Sequence, residues 1–76
     1  MSSDHVVLRL ERHEALVLFE WLAWIESHGK ATFQHPAEEK VLWNIEGQLE
    51  SSLHEPFLPD YATLVDEARR LVDSDA

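Results

Sequence analysis

The sequence predicts a mainly α domain of the α+β class, a short N-terminal strand followed by a three-helix core, and three observations carry that expectation. Apolar residues recur at helical spacing in three separate stretches, all three prolines fall at the joins between them, and a β-branched run precedes the first. The run is His5 to Leu10, HVVLRL, in which Val6, Leu8 and Leu10 alternate with Val7 and Arg9 as a strand would place them on two faces. A strand of this length needs a ladder partner for its backbone N–H and C=O groups. One solution pairs two copies of the segment antiparallel about a two-fold axis, making Val6, Leu8 and Leu10 the strand of a homodimer. The other pairs it with residues 31 to 34 of the same chain, with Trp21 and Trp24 then covered by the third helix. The homodimer is favoured, because residues 31 to 34 carry only a weak strand pattern.

From about Arg12 to His28 the spacing is helical, with Ala15, Leu18, Leu22 and Ile25 on one stripe and Leu16, Phe19 and Ala23 beside it. Val17, Trp21 and Trp24 add a third stripe, so this helix is apolar over most of its circumference and requires cover on more than one side. Gly29 suits the left-handed position past the helix end. Pro36 suits the first position of a second helix, where Glu38 and Glu39 meet the positive end of its dipole. Its expected buried stripe is Leu42, Ile45, Leu49 and Leu53, with Val41 beside it and Glu46, Gln48 and Glu50 facing water; Pro56 ends it near His54. Asp60 is a good N-cap for a third helix in which Tyr61, Leu64, Val65, Ala68, Leu71 and Val72 recur at helical spacing. Residues 5–73 therefore read as one small domain between disordered tails at 1–4 and 74–76.

Charge and composition exclude several functions. Fifteen acidic residues against six basic ones leave a net charge of −9, which repels phosphate backbones and anionic lipid, so neither nucleic acid nor membrane is an expected partner. The same field favours a basic protein surface. The chain has no cysteine, hence no disulfide and no thiol nucleophile, which together with the lack of a signal-like N-terminus points to a cytoplasmic protein. The longest apolar stretch, Ala15 to Ile25, is interrupted by Glu20 and is too short to span a bilayer.

No motif for catalysis or for a cofactor is legible. His13-Glu14 begins like a zincin helix, but Val17 stands where the second histidine is required. Glu50 and His54 lie one turn apart and His35 precedes Glu38 and Glu39, yet no spacing assembles a full ligand set, so no metal is expected. Ser27, Ser51 and Ser52 lack nucleophile-elbow glycines, and with only Gly29 and Gly47 present no phosphate-cradling loop can be built. Carboxylate pairs such as Glu46 and Glu50 read as solvated helix faces. The expectation is a protein without enzymatic activity.

A strand followed by helices resembles, in topology alone, the ribbon-helix-helix repressors, whose paired strands enter the DNA major groove. That resemblance implies a DNA-binding regulator. The departures are that Arg9 is the one basic residue of the strand, that residues 29 to 35 are long for the inter-helix turn, and that the net charge is −9.

The tryptophans are the stronger signal, since Trp21, Trp24 and Trp43 exceed what so small a core needs and tryptophan is enriched at interface hot spots. Trp43 lies off the Leu42, Ile45, Leu49 stripe, and Gly47 leaves a shallow space beside it on the same face. Two functions follow. One is a small acidic interaction module that binds or inhibits a basic protein, as immunity proteins, antitoxins and nuclease inhibitors do, through Glu38, Glu39, Glu46, Glu50 and Glu55 with Trp43 as anchor. The other is a structural homodimer without ligand, associating through the strand and the Trp21 and Trp24 face. Protonation of all five histidines would carry the charge from −9 toward −4, so a charge-driven complex is expected to weaken in acid.

Overall fold

The computed structural model describes residues 4–29 and 32–74. They form α1 (Arg12–His28), α2 (Pro36–Ser52), a 3₁₀ turn (Glu55–Phe57) and α3 (Tyr61–Ser74), and no strand is present among them. The mainly helical expectation stands. The N-terminal strand is not seen among the described residues, because His5 to Leu10 join no ladder there and run as an exposed arm outside the helices. Thr32 to Gln34 are likewise not a strand, and Ala31 falls outside the described residues.

The helix ends follow from local chemistry. At the start of α1 the Glu11 backbone N–H donates to the Glu14 carboxylate at 2.8 Å, satisfying a donor that the helix leaves open. Gly29 closes the helix in the left-handed conformation, φ 60°, with its N–H on the Ile25 carbonyl. Pro36 opens α2, where the His35 ring accepts from the Ala37 N–H and the Gln34 N–H donates to the Glu38 carboxylate at 2.8 Å. The helix ends at Ser52, two residues before the expected His54. The Asp60 carbonyl accepts the Leu64 N–H, setting the start of α3, which runs on through Ser74 where a disordered tail was expected. The other tail residues, 1–3 and 75–76, lie outside the described chain; Asp4 is exposed and belongs to no element.

α1 is the central element, packed against α3 and against α2, while α2 and α3 hardly meet. Its buried residues are Ala15, Leu16, Phe19, Leu22 and Ile25, and Leu22 is fully enclosed. Val65 and Ala68 of α3 and Leu53 after α2 complete the interior. α2 itself buries no residue: of its expected stripe Leu42, Ile45 and Leu49 are half-covered, Val41 is 57% exposed, and the fully buried Leu53 lies past its end. The reason is geometric, since a helix that touches one neighbour can cover only one edge of its apolar face. The fold is thus an open three-helix arrangement and not a closed core.

Polar contacts tie far parts of the chain together. Glu55, 8% exposed, receives Arg12 in a two-pronged pair, Nε to Oε2 at 2.5 Å and Nη2 to Oε1 at 2.8 Å. Planar guanidinium and carboxylate match in this geometry, which fixes the 3₁₀ turn against the start of α1. The Tyr61 hydroxyl donates to Glu20 at 2.9 Å and does the same for the start of α3.

Candidate functional site

The structure gathers the candidate residues into two surfaces of opposite character. The first is acidic. Glu39, Trp43, Glu46 and Glu50 follow one another at i, i+4, i+7 and i+11 along α2 and so share a face of that helix. Glu26 of α1 meets this face at Glu46. Partial burial of Glu46, followed by the charge and hydrogen bonding of Glu26 and the charge of Glu50, raises its carboxyl above the usual range. Glu46 is therefore half-buried and crowded, not the water-facing residue that its helical position suggested. Trp43 is half-buried beside it, so it contributes an edge more than a free anchor. A side-chain carbon placed at Gly47 would meet nothing within 4 Å, which leaves the shallow space expected next to Trp43.

Glu55 does not belong to this surface. Its carboxylate is engaged by Arg12 and, through that hydrogen bond first, is held below the usual carboxylate range. Sequence spacing gives no hint of a pair separated by 43 positions. The only local clue was that Glu55 sits between His54 and Pro56 in a turn that must close against the core.

The second surface is apolar. Val6, Leu8 and Leu10 of the arm lie beside Ala15 and Leu18 of α1 and Val41, Ile45 and Leu49 of α2 around a groove of about 970 Å³. The three arm residues expected to form a dimer strand are thus brought together with the uncovered edge of α2. Val41 also borders a second, smaller cleft of about 570 Å³, in which Trp21 faces Phe33, Ala37 and Leu42. Groove and cleft share Val41 in their walls. Trp21 and Trp24 are 51% and 42% exposed, but they differ in setting: Trp21 lines the cleft, whereas Trp24 stacks on His28 with ring centroids 4.6 Å apart.

Several other chemistry-bearing side chains are engaged within the fold. Ser51 and Ser52 donate to the carbonyls of Gly47 and Gln48, and Ser27 to that of Trp24. His54 stands 2.9 Å from Arg12 Nη2 and 3.8 Å from Glu55, away from the Glu50 partner that helical spacing offered it. Among the described residues no three histidine or carboxylate side chains converge as metal ligands. No helix among the described residues is long and apolar enough to cross a membrane.

Compared with protein-family models, with curated proteins and with solved structures, the chain matches none of them.

Proposed function

We propose that this protein is a non-catalytic interaction module whose acidic α2 face docks a basic protein surface. The reading is carried by the crowding at Glu46: a carboxyl raised by burial and by neighbouring carboxylates gains most from an arriving cation, because the cation relieves repulsion already present in the free protein. Trp43 borders the same face, and an arginine or lysine that contacts an indole edge or face while pairing with Glu46 and Glu50 uses both kinds of contact. The net charge of −9 steers such a partner toward the molecule. In this reading the binding residues are Glu39, Trp43, Glu46 and Glu50, with Glu26 completing the set.

The test uses an arginine-rich peptide as probe, titrated against the full chain and followed by tryptophan fluorescence and calorimetry. Binding is expected to weaken steeply as salt rises from about 0.05 to 0.5 M, and the triple variant Glu39→Gln, Glu46→Gln, Glu50→Gln is expected to lose roughly tenfold or more in affinity. A peptide bound equally well by the triple variant would overturn this surface. One bound without salt dependence would overturn the electrostatic reading altogether.

A further inference from the structure

We propose that the arm and the open side of α2 form the contact face for a second copy of this chain, each arm being covered by the other copy about a two-fold axis. The first argument is charge. In a chain with fifteen acidic residues, the residues around the groove include no carboxylate, and its ionisable members are His5 and Arg12. Two molecules each carrying −9 can approach closely only through a face from which acid is excluded. A basic partner gains nothing there, and nucleic acid would find too few cations to offset its own phosphates.

The second argument is what a single copy leaves uncovered. Val6, Val7 and Leu8 are 89%, 81% and 76% exposed, and Val41 across the groove is 57% exposed. A contiguous apolar surface of this kind marks an association site on a soluble domain. The chain exposes 6106 Å², where a compact protein of 8.8 kDa exposes about 4,800 Å². That excess, summed over the whole chain, is larger than the roughly 800 Å² that each partner supplies to a standard interface. The third argument is the arm's backbone. It belongs to no helix and to no ladder in the described chain, its alternating sequence suits a strand, and a two-fold contact brings the identical segment of the second copy to it in antiparallel sense.

Sedimentation equilibrium on the full chain, up to about 1 mM, reads the mass directly. The expected result is twice the 8.8 kDa chain mass. Screening the mutual repulsion of two acidic copies tightens the dimer as salt rises, which is opposite in sign to the complex with a basic peptide. Because the arm is exposed in one copy, the double variant Val6→Asp, Leu8→Asp keeps its helical circular dichroism and raises the dimer dissociation constant by at least about a hundredfold. Phe57→Asp, at an exposed residue that does not line the groove, leaves the dimer in place, and the triple glutamine variant of the acidic face, which removes three negative charges from each copy, does not weaken it. A chain mass of 8.8 kDa throughout, a dimer indifferent to the arm variant, one weakened equally by Phe57→Asp, or one dissolved by salt would each overturn the proposal.

Discussion

Two glutamates show how far a residue's neighbours outweigh its type. Glu55 is held below the usual carboxylate range, chiefly by its hydrogen bond from Arg12, so its contribution to stability is present above the unfolded carboxylate value, about pH 4.3, and is lost as pH falls through the lowered native one. Glu55→Gln is expected to cost about 1 kcal/mol at pH 7, read as a lower urea midpoint, with the difference from the parent protein shrinking in acid. Glu46 has the opposite sign. Its raised value means that the native state favours the protonated form, a contribution complete below about pH 4.3 and lost as pH rises through the native value. Glu46→Gln, neutral at every pH, is therefore expected to match the parent near pH 4 and to exceed it by up to about 0.5 kcal/mol at pH 7. An equal urea midpoint at both pH values would remove the crowding argument. Neither assignment was legible in the sequence, where both residues appeared as members of one acidic surface. Spacing along a helix can place Glu46 and Glu50 on a shared face, but Glu26 and Arg12 reach their partners through the tertiary fold.

The helices were legible because their signals are local. Pro36 and Gly29 act on the backbone of their own turn, and the three apolar stripes repeat at helical spacing whatever they pack against. Gly29→Ala should destabilise by about 1 kcal/mol, since a side chain at φ 60° meets the following carbonyl, although the space around it is open. Gly47→Ala should do the reverse, stabilising by roughly 0.5–1 kcal/mol, as the position is an exposed helix interior with nothing within 4 Å. Thermal denaturation of both variants checks the pair of signs. The arm is the element on which the chain shows less than its pattern predicts, since no strand is seen there among the described residues. Alternation of Val6, Leu8 and Leu10 describes a segment suited to a strand, but a ladder is a property of two segments, and the second is not among the described residues. α2 differs in another way: Leu42, Ile45 and Leu49 are partly covered and none is buried, because periodicity reports which face is apolar and not how much of it is covered. Its amides are expected to exchange with deuterium well before those at the centre of α1, around the enclosed Leu22.

At the scale of the molecule the radius of gyration is 13.9 Å, against about 11.4 Å for a compact domain of this length. So open a fold has a small interior, and Leu22→Ala, which truncates the fully enclosed side chain among the described residues, is expected to cost about 3 kcal/mol, enough to unfold a large fraction of the protein at 37 °C. Circular dichroism at that temperature, with and without sulfate as a stabilising salt, checks it. The two proposed surfaces also divide the molecule's response to salt: added salt weakens contact at the acidic face and strengthens contact at the arm and groove. Binding one partner at each is compatible, since Glu46 and Glu50 take no part in lining the groove.

Helix content, helix ends and the acidic balance are written in the chain, because propensity, capping and charge act within a few residues or depend on composition alone. Which carboxylates are crowded and which is paired, how much of α2 stays open, and where a chain of net charge −9 keeps a face free of acid are consequences of folding. They depend on contacts between residues dozens of positions apart, and a single sequence holds no term that links those positions until the chain has brought them together.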